Sequence, residues 1–144
     1  QHTSSKAAAY QQHTSSIPAT CQQHSCSIPA ADQQQTSSIQ AAYQHICGIQ
    51  SDESLVCWGR DDYGQVSDTP SGTFIATSGG YFHTCGIRTD GGVTCWGYQY
   101  SITGTPPTGN FSAIQSNEQS NCGILDSGNV ICWGNSSYNQ TSPP

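Results

Sequence analysis

Two short phrases recur through the last hundred residues of this chain and leave few folds open to it. Cys47-Gly48-Ile49 returns as Cys85-Gly86-Ile87 and again as Cys122-Gly123-Ile124, at offsets of 38 and 37 residues. Ten positions after the first cysteine of each phrase stands a second, always within Cys-Trp-Gly: Cys57-Trp58-Gly59, Cys95-Trp96-Gly97 and Cys132-Trp133-Gly134. Phe74 and Phe111 lie eleven residues ahead of the later two Cys-Gly-Ile units, and Tyr63 and Gln65 recur as Tyr138 and Gln140. A fixed period near 38 belongs to stacked or circular arrays built by copying one supersecondary unit.

Each unit reads as a β-hairpin. The segment from Cys85 to Cys95 is symmetric about Asp90, which predicts a three-residue loop, Thr89-Asp90-Gly91, with Gly91 in the left-handed position of a G1 bulge. Ile87 then faces Val93 and Cys85 faces Cys95; in the third unit Asp126-Ser127-Gly128 forms the tip and Ile124 faces Val130. The first tip, Ser51-Asp52-Glu53, lacks the glycine, which leaves its turn type open. Opposed residues of antiparallel strands sit roughly 4.5–5.5 Å apart at Cα, within disulfide reach. The expected bonds are Cys47–Cys57, Cys85–Cys95 and Cys122–Cys132, each closing a short loop worth roughly 2.5–3 kcal/mol in the chain-entropy description. Cys21 and Cys26 are candidates for a fourth bond, their pairing left open. Strand alternation puts the cysteine pair, Ile87, Val93 and His83 on one face and Trp96 on the other. Trp58, Trp96 and Trp133 therefore read as packing between units, with a stacking platform for sugars as the sharper alternative.

Such staples are needed. Leu, Ile, Val and Phe make up about 14% of the 144 residues, below the roughly 20% at which a conventional core becomes doubtful. Three Lys and Arg against nine Asp and Glu give a net charge of -6, so no basic surface is available to track phosphates and nucleic-acid binding is not expected. No apolar run approaches the length of a membrane-spanning helix.

Residues 1–44 follow another period. They divide into four 11-mers, QHTSSKAAAYQ, QHTSSIPATCQ, QHSCSIPAADQ and QQTSSIQAAYQ, each resembling the strand that leads into Cys-Gly-Ile. We divide the chain into this Gln/Ser-rich tract, 1–44, and three β-repeats, 45–144. The tract has too little apolar surface to fold alone, and is expected to dock on something.

Even, regularly spaced cysteines favour an oxidising compartment. Three N-x-S/T triplets, at Asn110, Asn135 and Asn139, sit near turn-forming residues and add a secreted, glycosylated reading. A chain that starts at Gln1 and contains no Met reads as a processed product or a fragment.

Candidate chemistry is sparse. His2, His13 and His24 recur every 11 residues, and His24, His45 and His83 each stand two before a cysteine, one per repeat, which suggests a repeated hydrogen-bonding role over metal binding. The C-x9-C spacing is not that of a zinc site. Asp61, Asp62 and Asp68 read as a solvated acidic turn, without an EF-hand pattern. No nucleophile elbow or phosphate-cradling glycine loop occurs, so neither an enzyme nor a cofactor is expected.

The Cys-Gly-Ile…Asp-Gly…Cys-Trp-Gly pattern of residues 43–144 resembles the repeat of the regulator of chromosome condensation superfamily, in the short cysteine-bearing variety of plant crinkly-type receptor kinase ectodomains. The resemblance implies β-propeller blades of four strands each, with cysteines paired inside a blade. About seven blades close a ring in that family, and three units here imply an incomplete or open array. The expectation is an all-β, disulfide-stapled, secreted structural glycoprotein that forms homo-oligomers or filaments. An extracellular recognition domain binding a peptide or glycan is the alternative.

Overall fold

Successive units become successive sheets. In a computed structural model that describes residues 36–98, 105–137, 139 and 141–144, nine strands form three antiparallel sheets of three. The first holds β1 (Thr36–Ala41), β2 (His45–Gln50) and β3 (Leu55–Gly59); the second β4 (Phe74–Gly79), β5 (His83–Arg88) and β6 (Val93–Gly97); the third β7 (Phe111–Ser116), β8 (Ser120–Leu125) and β9 (Val130–Gly134). Each Cys-Gly-Ile lies on a middle strand and each Cys-Trp-Gly ends the strand after it. The chain is an open array of disulfide-stapled, blade-like β-repeats.

The hairpins have the symmetric register. Ile87 pairs with Val93 and Ile124 with Val130. Cys47–Cys57, Cys85–Cys95 and Cys122–Cys132 are directly opposed and bonded, with Cα–Cα distances of 4.2, 4.0 and 4.0 Å. At the second tip Gly91 has φ 91°, and Arg88 accepts from Gly91 N–H while its own N–H bonds the Gly92 carbonyl, both at 2.8 Å. Gly128 repeats this at φ 90°. The first tip adopts the same turn without a glycine: Glu53 takes φ 68°. Its N–H bonds Gln50 O at 3.0 Å, its carbonyl accepts from Phe74 N–H at 2.8 Å, and Asp52 Oδ1 holds Ser54 N–H at 3.0 Å. These neighbours outweigh the Cβ penalty of the left-handed region.

Two expectations need adjustment. The described sheets have three strands, not the four that the resemblance implied. Beyond Gly59 the chain turns on itself, because Asp61 Oδ1 accepts from Val66 and Ser67 N–H, each at 2.8 Å; such local bonds draw the backbone away from a sheet ladder. The division at residue 44 also cuts through a sheet. The fourth 11-mer supplies β1, which pairs with β2 from Thr36↔Gln50 to Ala41↔Ile46. Residues 1–35, with Cys21, Cys26, His2, His13 and His24, lie outside the described residues.

The core lies between sheets. Cys85 and Ile87 of the second pack with Phe111 and Trp133 of the third. Within a sheet, the Phe74 ring lies on Gly86 and the Phe111 ring on Gly123, so close that an added Cβ would stand 2.8 and 2.5 Å from a ring carbon. This close approach explains the glycine in Cys-Gly-Ile at these two positions.

Candidate functional site

The joints between sheets are built to one plan, and the plan defines what is left open at the end of the array. Phe74 N–H donates to Glu53 O at 2.8 Å and Phe111 N–H to Gly91 O at 2.9 Å, so each left-handed turn residue holds the first residue of the next sheet. Ser116 of β7 bonds Ser78 of β4 twice, N–H to Oγ at 2.8 Å and Oγ–H to O at 3.1 Å. The histidines complete each joint. His45 Nε2 lies 2.6 Å from Thr84 Oγ1, and His83 Nε2 lies 2.9 Å from Asn121 Oδ1. An amide oxygen only accepts, so His83 carries its proton on Nε2. Burial pushes the His45 pKa down to about 4, aided by the His83 ring and opposed by Asp61. Burial also lowers that of His83, against the hydrogen bond to Asn121. Both imidazoles are neutral at physiological pH.

Among the described residues, the outward face of the third sheet has no such neighbour. Ile49 and Ile87 are 4% and 0% exposed, whereas Ile124 and Val130 in the equivalent hairpin are 42% and 47% exposed. A Cβ built on Gly128 meets nothing within 4 Å. Ser120 replaces histidine in the third sheet and turns back to Asn117 Oδ1, 2.8 Å away.

Trp96 and Trp133 lie in the joints. Trp96 is 3% exposed, lies edge-on to Phe74 at 6.3 Å and donates Nε1–H to the Gln65 carbonyl at 3.1 Å. Trp133 is 7% exposed and lies edge-on to Phe111 at 6.1 Å, against the previous sheet's Cys85 and Ile87. Trp58 is half-buried. Buried indoles cannot serve as open sugar platforms. Sequence reasoning gave no role to Gln65, which is fully buried, or to Thr84 and Asn121, the histidine partners. The signal was present in the Tyr63/Gln65 and Tyr138/Gln140 recurrence and in the polar residue just before Cys85 and Cys122.

Asn110 and Asn139 are exposed. Asn135 is half-buried, donating Nδ2–H to Gln119 Oε1 at 2.6 Å and accepting from Ser137 N–H and O–H at 2.8 and 2.6 Å. Asp61, Asp62 and Asp68 are exposed in the turn after β3, where Asp62 pairs with Arg60 at 2.5 Å. Among the described residues no group of three or more potential metal ligands gathers, and no helix is long and apolar enough to cross a membrane.

Comparison with known proteins places this architecture. The family model of the regulator of chromosome condensation (RCC1) repeat matches residues 74–101 and 111–140. The entire ectodomain of the Physcomitrella patens receptor kinase CR4 is similar over 69% of the chain and 29% of its own length, at 30% identity and a TM-score of 0.62. The CRINKLY WD40 ectodomain of the Arabidopsis thaliana receptor kinase ACR4 is similar over 69% and 36%, at 26% identity and a TM-score of 0.57. Prp20p from Saccharomyces cerevisiae shares the fold over 69% and 33%, at 16% identity and a TM-score of 0.60. The chain thus spans about a third of the length of these structures. No curated protein matches the sequence significantly.

Proposed function

Residues 74–101 and 111–140 are repeats of the regulator of chromosome condensation type, and from that premise we propose that the chain is an extracellular, non-catalytic assembly module whose copies join head to tail. The observation that carries this is the exposure of Ile124 and Val130, whose counterpart Ile87 is covered by a following sheet of the same kind. What covers this surface elsewhere in the chain is another repeat. The occupant proposed here is the N-terminal end of a second copy, which brings Trp58 in the slot of Trp96 and Trp133, together with the 11-mers of residues 1–35. A contact between unlike surfaces repeats from copy to copy and yields a filament unless its rotation closes a ring. Three disulfides support the extracellular setting, as does likeness to two receptor kinase ectodomains.

Light scattering of the full chain should give a mass that rises with concentration, and Ile124→Asp with Val130→Asp should hold it at one copy. A chain that stays monomeric throughout refutes the assembly role. A second reading, a recognition domain for a peptide or glycan, is favoured by the 30% identity to the CR4 ectodomain.

A further inference from the structure

Five aromatic rings form an unbroken line along one end of the first two sheets. Tyr43 meets Tyr81 at 4.5 Å between centroids, Tyr81 meets Phe82 at 6.0 Å, Phe82 meets Tyr63 at 4.9 Å and Tyr63 meets Tyr98 at 4.9 Å. Tyr43 is 60% and Tyr63 41% exposed, the two largest aromatic exposures among the described residues. All five rings sit on connections leaving β1, β3, β4 and β6 at the end opposite the Asp-Gly hairpin tips.

The fold does not require four of them, Tyr43, Tyr81, Phe82 and Tyr98. In the first sheet Arg60 N–H bonds Gln44 O at 2.8 Å, in the second Tyr98 N–H bonds Phe82 O at 2.8 Å, and in the third Asn135 N–H bonds Gln119 O at 2.9 Å. Polar side chains therefore occupy the same positions in two sheets of the same design. The slot of Tyr43 and Tyr81 is filled by Glu118 in the third sheet. Rings kept at half exposure, where polar residues suffice structurally, indicate a surface kept for contact.

Polar groups beside the line show what kind of contact. Arg60 Nη1–H donates to Gln44 Oε1 and Nε–H to Asp62, and its guanidinium lies 5.7 Å from the centroid of the middle ring, Phe82. Next to it in the line, Tyr81 O–H donates to Glu118 Oε1 at 2.7 Å, and Gln119 and Asn135 present planar amides. We propose that this strip binds a neutral glycan chain. Sugar rings offer apolar C–H faces that stack on aromatic rings, and edge hydroxyls that exchange hydrogen bonds with amide, carboxylate and guanidinium groups. Among the described residues Arg60 is the strip's one basic group and is already paired with Asp62, so a polyanionic glycan gains nothing there. The proposal rests on the recognition reading and is independent of assembly, because the strip and the Ile124–Val130 face share no residue.

The test is calorimetric titration of the full chain with neutral hexasaccharides of β-1,4-glucose, β-1,3-glucose, xylose and mannose. Hexagalacturonate and a proline-rich decapeptide serve as comparators. At least one neutral hexasaccharide is expected to bind. Tyr43→Ala and Tyr63→Ala should each weaken it about tenfold, and Tyr63→Phe by less than about twofold, with light-scattering mass and disulfide map unchanged. Absence of binding by every neutral glycan, or binding indifferent to both alanine variants, overturns the proposal. Peptide binding lost in Tyr43→Ala would overturn the glycan class and leave the recognition reading standing. Failure of both classes defeats both.

Discussion

His83 crosses from the second sheet to the third and ends 2.9 Å from the amide oxygen of Asn121, which also accepts from Ser116 O–H at 2.7 Å. The link is buried, and it holds together two sheets that the sequence separates by more than thirty residues. His45 makes the equivalent reach to Thr84 at the preceding joint.

The histidine joints make stability fall in mild acid. Burial lowers the His45 pKa to about 4 and moves His83 in the same direction, whereas an unfolded histidine titrates near 6.5. Between those values the unfolded chain holds more protons, so stability is complete above pH 6.5 and declines as pH falls toward 4. His45 contributes up to about 3 kcal/mol of that loss. Urea midpoints measured from pH 7.5 to 4 should drop accordingly, and His45→Gln with His83→Gln should flatten the decline. An unchanged slope in the double variant would assign the effect elsewhere.

Glu53→Gly should stabilise the chain. Glu53 sits at φ 68°, where Gly91 and Gly128 stand in the other two hairpins, and relief of the left-handed strain exceeds glycine's entropy cost by about 0.5–1 kcal/mol. Gly91→Ala should act in the opposite sense. Equal midpoints for Glu53→Gly and the parent would show that the turn is not strained.

Gly86→Ala should cost about 2–3 kcal/mol, because the new methyl lands 2.8 Å from Phe74 Cδ1 and 3.4 Å from the Ala76 carbonyl oxygen. Phe74→Leu in the same chain should recover part of the loss. A tolerated Gly86→Ala would mean that the ring moves aside freely.

Of the three acceptor sites, Asn110 and Asn139 should carry glycan in preference to Asn135, whose Nδ2 is engaged with Gln119. Peptide mapping after glycosidase treatment reads this directly. Full occupancy at Asn135 alone would reverse the ordering.

Hairpin geometry was legible because it is local. The spacing of Cys85, Asp90, Gly91 and Cys95 determines a register in which Ile87 meets Val93, and no distant residue is needed to see it. The first turn was harder to read, since Glu53 is held left-handed by Phe74 N–H from the next sheet, a contact that no local rule contains. The same holds for the joints. His83 was recognisable as a repeated position, but its partner Asn121 is found only when the sheets are stacked. The line of rings escaped notice because Tyr43 and Tyr81, which share a slot of the repeat, meet Phe82, Tyr63 and Tyr98 only once the connections of two sheets lie side by side.

Each disulfide among the described residues begins and ends within one hairpin, ten residues apart. Covalent wiring of this kind is indifferent to copy number: a duplicated or deleted repeat carries both of its cysteines with it, and no bond elsewhere must find a new partner. Gene duplication can then lengthen or shorten such an array without ever passing through a form with mismatched thiols.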